Sequence, residues 1–160
     1  MLRQCENAAV QISAKSEYAV RALLELAARE PALVKADTIV ASQELPRKFV
    51  ESILSELRRA GLVRSVRGAD GGYGLARPAS QITIGAVMRA VDGPLAEVRG
   101  LRPHETTYDG TAEHLPEVWI ALRANVRRVL DETSLQQVLT GKLPAHVRRL
   151  SENAEAWLPR

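Results

Sequence analysis

The chain has 160 residues, 46% of them hydrophobic, and a net charge of +3. These values describe one globular domain with extensions, or two very small domains, and argue against a multidomain enzyme. The chain lacks an apolar run of the roughly 18 residues that span a bilayer, so we expect no membrane partner. Its first seven residues contain an acid and amides where a secretory signal needs an apolar centre, and we expect a cytoplasmic protein. The single cysteine, Cys5, excludes an internal disulfide framework.

Positive charge is concentrated in residues 46–77, where seven basic residues accompany three acidic ones. Residues 94–160, by contrast, carry nine of each sign. A basic patch on a nearly neutral chain is typical of a protein that presents one face to a polyanion such as nucleic acid. Charge alone equally allows a solvated basic surface without a partner.

Three helices are predicted between residues 13 and 61. Ser13 is a candidate N-cap for the first, whose apolar residues share one helical face and which Pro31 ends. Residues 36–42 predict a short second helix. Pro46 can open the third at its first turn, and Gly61 lies where a C-terminal cap belongs. The predicted buried stripe of the third helix is Val50, Ile53, Leu54, Leu57 and Ala60. A tight turn between the second and third helices indicates a helix-turn-helix.

A two-stranded hairpin is predicted directly after the third helix. Residues 62–67 are rich in β-branched side chains, and residues 73–77 resume the extended pattern. The Asp-Gly and Gly-Gly pairs between 68 and 72 tolerate the positive φ of a tight turn, and they could serve the turn alone. Arg64 and Arg67 lie beside a tip thin enough to enter a groove. The predicted fold class is therefore mainly α with a small β-hairpin wing, a winged helix-turn-helix.

A fourth helix is predicted from Thr83, its candidate cap, to Gly93 and Pro94, which end it. Residues 94–114 have no sustained period, and we interpret them as a loop. Beyond the loop, apolar residues recur at steps of four and three, as in the seam of a coiled coil. This pattern predicts a long dimerisation helix with the seam Leu115, Trp119, Leu122, Val126 and Val129. Because the seam spans only about two heptads, packing against its own domain stays an open alternative.

The end of the chain predicts two further segments. One is short, covers residues 134–139 and is closed by Gly141 and Pro144. The other is a final helix that lies against the long one. Its apolar face consists of Val147, Leu150, Ala154 and Trp157.

Several motifs follow one another in a distinctive order. They are ISAKSEYAVRAL over residues 12–23, FVESIL over 49–54, LRRAGLV over 57–63, SVRG over 65–68 and GGYGLA over 71–76. This order resembles the Rrf-type bacterial transcriptional regulators, the group of IscR-like, NsrR-like and CymR-like proteins. The resemblance implies a homodimeric winged-helix protein that binds a near-palindromic operator in double-stranded DNA and usually represses transcription.

The resemblance also divides the chain into four parts. Residues 1–9 form an N-terminal extension, and residues 10–93 a winged helix-turn-helix DNA-binding domain. A loop covers residues 94–114, and a dimerisation helix and C-terminal tail cover residues 115–160. The family often places glycine in the turn before the third helix, so Glu44 predicts a slightly different turn.

DNA contacts are implied for the exposed face of the third helix, which fits the major groove. Lys48 and Glu51 are the leading base readers, since lysine bonds guanine and glutamate accepts from cytosine, while Arg47 would read a base or bind phosphate. Arg67 on the wing would enter the adjacent minor groove. The full set is Lys15, Tyr18, Arg47, Lys48, Glu51, Ser52, Ser55, Arg58, Arg59, Arg64, Arg67, Gly68, Gly71 and Gly72. Tyr18 could instead be a packed aromatic, and Glu51 could pair within its helix with Lys48 or Arg47.

The loop departs from cluster-binding relatives, which carry three cysteines where this chain has none in residues 94–114. Because thiolates hold iron–sulfur clusters, we expect no cluster, no other cofactor and no metal. The polar residues of the loop are more typical of a solvated segment than of a metal site; they are His104, Glu105, Asp109, Glu113 and His114. The effector could be a small molecule between the winged domain and the long helix, or a protein, or there could be none.

Two classes of function remain. The first is a sequence-specific DNA-binding regulator, and the second is an adaptor whose winged helix and long helix bind another protein. An enzyme is not expected, because the sequence has no Gly-rich phosphate loop, no ligand-spaced metal cluster and no recognisable nucleophile motif.

Overall fold

The computed structural model describes residues 11–159, so the extension expected over residues 1–9 lies outside the described residues. Within them are seven α-helices and one two-stranded sheet, and none of these helices combines the length and hydropathy needed to span a bilayer. The elements are α1 Ala14–Ala28, α2 Ala36–Gln43, α3 Arg47–Arg59, β1 Val63–Val66, β2 Gly72–Leu75, α4 Ile84–Asp92, α5 Leu115–Asp131, α6 Leu135–Thr140 and α7 Ala145–Ser151. The predicted fold class, mainly α with a small hairpin, is confirmed.

Helix α1 begins at the predicted cap and lies at the centre of the core. The Ser13 hydroxyl accepts a hydrogen bond from the Ser16 backbone N–H at 2.9 Å, and the Ser16 hydroxyl donates to Asp92 at the end of α4 at 2.6 Å. The apolar face of α1 packs on α2, α3 and α4. The largest fully buried apolar side chains of this core are Leu23, Leu26, Ile39, Ile53, Leu54, Leu57, Ile82 and Leu135. Each contributes roughly 1.5–3 kcal/mol by leaving water.

The turn between α2 and α3 takes an unusual residue in its left-handed position. Glu44 has φ 51° and ψ 45°, a conformation that glycine usually supplies. Hydrogen bonds from α1 fix the neighbouring residue: the Arg21 guanidinium donates to the backbone and side-chain oxygens of Gln43. The Gln43 amide in turn donates to Glu25 at 2.8 Å. The helix-turn-helix therefore keeps its geometry without a glycine.

Helix α3 begins at Arg47, with Pro46 just before it in an extended conformation at the N-cap. Val50, Ile53, Leu54 and Leu57 are buried, as predicted. The prediction that Ala60 belongs to this buried stripe is wrong. Helix α3 ends at Arg59, one residue before the predicted end, and Ala60 is its exposed C-cap residue.

The wing is an antiparallel hairpin that is anchored at its base. Val63 pairs with Leu75, and both are buried, while Val66 pairs with Gly72 near the tip. Tyr73 also forms a bridge with Val34, with two backbone hydrogen bonds of 2.8 Å that attach β2 to the segment before α2. The hairpin is thus held against the helices on the side opposite β1.

Helices α4 and α5 are joined by the predicted loop, in which short 3-10 turns occur at Pro103–Glu105 and Gly110–Ala112. Thr83 caps α4 by accepting from the Ala86 N–H, and Gly93 ends it. Helix α5 has no buried residue in the described chain. Its last residue, Asp131, reaches back to α4, where Gly85 leaves the space that the carboxylate fills.

After α5 the chain returns to the winged-helix body. Backbone hydrogen bonds of 2.9 Å join Ile84 N to Thr133 O and Leu135 N to Ile82 O, and Leu135 is fully buried in the core. Residues 133–140 therefore pack with the winged helix, although the sequence grouped them with the tail.

The predicted short segment is confirmed as α6, with Gly141 as its C-cap. The prediction of one continuous final helix over the last part of the chain is wrong. The chain forms α7 and then a separate 3-10 turn over Ala154–Trp157, because the helix ends at Ser151 and Asn153 starts the new turn with its side chain. His146 of α7 does lie against the long helix, 3.2 Å from the Arg128 carbonyl.

Candidate nucleic-acid interface

The solvent face of α3 carries the residues that the sequence proposed for base contact. Arg47, Lys48, Glu51 and Ser52 are exposed in its first two turns, and Ser55 is partly exposed. Arg58 and Arg59 continue this exposed surface at the end of the helix. The buried stripe lies on the opposite face and fixes the orientation of the helix, so its polar residues point outward together.

Arg47 is held by two acids. It forms ion pairs with Asp37 of α2 and, at 3.1 Å, with Glu51 one turn along α3. The charge of Asp37 and the hydrogen bond that Arg47 donates to Glu51 raise the pKa of Arg47 above its ordinary value. The intrahelical pairing of Glu51 is therefore present in the unbound protein. Because the pair is exposed, it is worth little and can be exchanged for contacts with a base or phosphate.

Lys48 and Phe49 are consecutive exposed residues in the first turn of α3. Lys48 forms no ion pair within residues 11–159, whereas the adjacent Arg47 forms two. Phe49 is 50% exposed and packs edge-to-face on Tyr18 of α1, with ring centroids 5.9 Å apart. Tyr18 is thus packed, as the aromatic alternative expects, and it is also partly exposed, so its contact with DNA stays a prediction. Sequence reasoning missed Phe49 as a surface residue, although its position beside the buried stripe was the available signal.

Lys15 has an internal role. Its ammonium forms a 2.7 Å ion pair with Glu56 of α3 and donates to the Val91 carbonyl of α4 at 2.9 Å. These bonds tie α1 to both helices and satisfy the last turn of α4. While they hold, the charge of Lys15 is directed into the domain and not at a bound polyanion.

The wing presents its arginines in different ways. Arg58 of α3 donates to Ser65 of β1 at 3.3 Å, which joins the third helix to the wing. Arg64 lies across the hairpin and donates to the Leu75 carbonyl at 3.2 Å. Arg67 is exposed beside the tip and forms no ion pair or side-chain hydrogen bond in the described part of the chain. It is the wing arginine best placed to reach a partner.

The three predicted glycines shape the wing. Gly68 has φ 109°, which side-chain-bearing residues rarely adopt. A Cβ on Gly71 would lie 2.2 Å from the Val66 carbonyl oxygen, and a Cβ on Gly72 would lie 2.8 Å from the Val34 carbonyl oxygen. Close backbone approach therefore requires glycine at both positions, and the contact of Gly71 and Gly72 with DNA stays a prediction.

The predicted dimerisation residues lie along one side of α5. Trp119, Leu122, Val126 and Val129 line a largely apolar groove of about 860 Å³ together with Met88 and the loop. Leu115 lies outside this groove, at the start of the helix. The indole N–H of Trp119 is buried and has no acceptor among residues 11–159. The groove is thus an incompletely covered apolar surface with one unsatisfied donor.

A helix-turn-helix followed by a basic wing defines the winged-helix class of DNA-binding proteins. The Rrf2 family model, described as an iron-dependent transcriptional regulator, matches residues 12–141. An HTH-type transcriptional regulator of Mycobacterium tuberculosis (strain H37Rv) is 47% identical over 148 residues, which cover 92% of each protein. The chain belongs to the Rrf2 family of transcriptional regulators, which confirms the family resemblance, and it is not an enzyme.

Solved structures agree with this assignment. The structure of CymR, the global cysteine regulator of Bacillus subtilis, matches with a TM-score of 0.70 and 33% identity over 82% of this chain and 97% of that one. IscR of T. potens matches with a TM-score of 0.67 and 28% identity over 94% and 93% of the two chains.

The iron in the family description does not fit the donor set of this chain. Iron–sulfur clusters need several thiolates, but Cys5 is the only cysteine of the sequence and the loop over residues 94–114 has none. Among residues 11–159, His, Cys, Asp and Glu side chains form no group of three or more that could hold a metal ion.

Proposed function

We propose that this regulator is a repressor that binds a near-palindromic operator in double-stranded DNA as a homodimer, without an iron–sulfur cluster, in the bacterial cytoplasm. One observation carries the proposal. Lys48 on the exposed face of α3 and Arg67 beside the wing tip are exposed cations without an ion pair in the described chain. They lie on two elements that the Arg58–Ser65 hydrogen bond joins.

Base reading is assigned to the first turns of α3. In the major groove, Lys48 can donate to the O6 and N7 of guanine, and Glu51 can accept from cytosine once it leaves Arg47. Phe49 offers apolar contact to a thymine methyl group. Arg47, Arg58, Arg59 and Arg64 would bind phosphates, which position the helix without reading sequence. Arg67 would enter the minor groove, where narrow A·T stretches attract guanidinium.

The homodimer is assigned to α5. No residue of this helix is buried, and Val118 and Leu122, which lie one turn apart on the same side of it, are 57% and 40% exposed. A second copy would cover this apolar surface and could supply an acceptor for the Trp119 indole N–H. Two-fold pairing would also place two α3 helices about 34 Å apart, or a multiple of that, on one face of the duplex.

The test begins by selecting genomic DNA fragments with the purified protein, sequencing them and measuring affinity for the recovered site. We expect Lys48→Ala and Arg67→Ala each to weaken operator binding about tenfold or more. Lys48→Ala should lose discrimination at one major-groove base pair, and Arg67→Ala should lose preference at an A·T position. Arg149→Ala removes the same charge from an exposed site on α7 and is the control.

Salt dependence provides the second measurement. The logarithm of affinity should fall with the logarithm of salt concentration at a slope near −0.9 times the number of phosphates neutralised. A flat slope, or enrichment of no common sequence, would refute operator binding and favour the protein-binding adaptor. Repression would be refuted if transcription from the recovered operator fell when the regulator was removed.

A further inference from the structure

A second cleft, distinct from the apolar groove, lies where α4, the loop and α5 meet. It has a volume of about 500 Å³, and four of its seven lining residues are arginines. Arg89 comes from α4, Arg102 from the loop, and Arg123 and Arg127 from successive turns of α5. The remaining lining residues are Gly93, Pro94 and Leu95, so the cleft wall itself carries no acid.

One carboxylate partly balances these four charges. Asp131 lies 2.7 Å from an Arg89 nitrogen and 3.3 Å from the Arg127 Nε. Burial acts to raise the pKa of Asp131, but its bonds to the two arginines outweigh burial and lower it, so the group is ionised at neutral pH. Arg102 and Arg123 have no acidic partner within residues 11–159. Four arginines therefore line the cleft, and Asp131 is the acid that pairs with their guanidinium groups in the described chain, while the Glu105 carboxylate accepts from the backbone N–H of Arg102.

The chemistry of the cleft selects its ligand. Guanidinium groups stay charged at any physiological pH and bind phosphate and carboxylate oxygens through paired N–H donors. Their mutual repulsion is relieved when an anion enters. A volume of about 500 Å³ admits a small metabolite rather than a polymer. We propose that this cleft binds a small oxyanion of two or more negative charges, a phosphate or a polycarboxylate, as the effector of the regulator.

The position of the cleft explains how such a ligand would act. Arg89 lies on α4, which packs against α1 and α3 of the winged helix, while Arg123 and Arg127 lie on the long helix. An anion that bridges these arginines would fix the angle between the DNA-reading domain and α5. If α5 joins two copies, that angle sets the spacing of the two α3 helices. This regulatory step rests on the proposed function, whereas anion binding does not.

Anion binding is tested by calorimetric titration of the full chain with sodium pyrophosphate and, separately, with citrate, each against sodium chloride of equal ionic strength. We expect saturable binding of at least one of the two, with one site per chain, and the responding probe distinguishes a phosphate from a carboxylate ligand. The variant Arg102→Gln/Arg123→Gln should bind at least tenfold more weakly. It should fold normally, because neither side chain forms an ion pair in the described structure.

The control is Arg128→Gln/Arg149→Gln, which removes the same charge from exposed residues outside the cleft and should bind like the parent. The anion site would be overturned if both pyrophosphate and citrate gave no more heat than sodium chloride. It would also be overturned if the two double variants bound the anion equally well. The same anion should change operator affinity at least fivefold in the parent and not in the cleft variant; anion binding without this change would overturn the regulatory role alone.

Measuring anion binding and operator binding on the same proteins separates this inference from the proposed function. A parent protein that binds its operator but neither probe refutes the cleft and leaves DNA binding intact. Anion binding without operator binding refutes the proposed function only. If the cleft variant weakens operator binding in plain chloride buffer and lowers the salt slope, the arginines belong to the DNA interface and the effector site is refuted.

Discussion

Glu25 is a buried carboxylate of α1 whose side chain is only 11% exposed. It accepts hydrogen bonds from the Arg29 guanidinium at 2.5 Å and from the Gln43 amide at 2.8 Å. Burial acts to raise the pKa of Glu25, but the hydrogen bonds from Gln43 and Arg29 and the charge of Arg29 outweigh it and lower the pKa. Gln43 is the last residue of α2, directly before the left-handed Glu44. One carboxylate in the first helix thus fixes the turn that orients the third.

We expect Glu25→Gln to lower the free energy of unfolding by about 1–3 kcal/mol at pH 7, because two charge-assisted hydrogen bonds are weakened in a buried place. A carboxyl group with a lowered pKa contributes its stability above the pKa of the unfolded chain and loses it as the pH falls through the folded value. The difference between parent and variant should therefore be largest at pH 7 and shrink at acidic pH. Urea unfolding between pH 7 and pH 3.5 measures both.

Glu117→Gln is the control, because Glu117 is an exposed glutamate of α5 that lies outside the network of Glu25 and pairs, among the described residues, with the exposed His114. Its effect should stay below about 0.5 kcal/mol. A Glu25→Gln protein that loses no more stability than this control, or whose deficit is the same at every pH, would contradict the role given to Glu25.

The wing and α3 act as one unit at the scale of elements. The chain leaves α3 through Gly61 at φ 71°, enters β1 within two residues, and is tied back to the helix by the Arg58–Ser65 bond. The tip depends on Gly71, where any Cβ would meet the Val66 carbonyl oxygen at 2.2 Å. Since backbone atoms cannot move aside as a flexible side chain can, a larger residue must distort the hairpin.

Gly71→Ala should therefore lower the free energy of unfolding by about 1–3 kcal/mol and weaken operator binding, since Arg67 is displaced with the tip. Ala69→Ser, at an exposed neighbouring position, should change stability by less than about 0.5 kcal/mol and leave binding unchanged. Urea unfolding and operator titration of both variants measure this. Operator affinity equal to the parent in a destabilised Gly71→Ala protein would show that the wing does not contact DNA.

The helices of the winged domain could be predicted because each carries its own local signals. Ser13 and Thr83 cap helices whose apolar residues share one face, and both caps are present. The interface was less predictable, because ion pairs depend on distant residues. Lys15 is paired by Glu56, 41 positions along the chain, and nothing local in the sequence reports that contact. The division of the tail into α7 and a 3-10 turn was missed because apolar spacing alone does not show where a helix ends.

At the scale of the whole molecule, the long helix α5 packs against α4 and against the 3-10 turn Pro103–Glu105 of the loop, and it leaves an apolar groove beside these contacts. Asp131 pairs with Arg89 of α4, and the segment after it pairs with Ile82 and Ile84, so the end of α5 is attached to the winged helix. Residues of the predicted seam meanwhile line an apolar groove that the described chain does not fill. A partner seated in that groove would be coupled through Asp131 to the DNA-reading domain.

We expect Leu122→Glu to convert a dimer into a monomer, because it places a charge in the groove at the middle of α5. Ala124→Glu is the control: it adds the same charge on the same helix about 200° away, on an exposed face. Sedimentation equilibrium at micromolar protein should give a monomer for the first variant and a dimer for the second and the parent. The monomer should also lose the two-half-site footprint on the operator. A Leu122→Glu protein that still sediments as a dimer would remove α5 from the interface, whereas a parent that is monomeric would refute the homodimer itself.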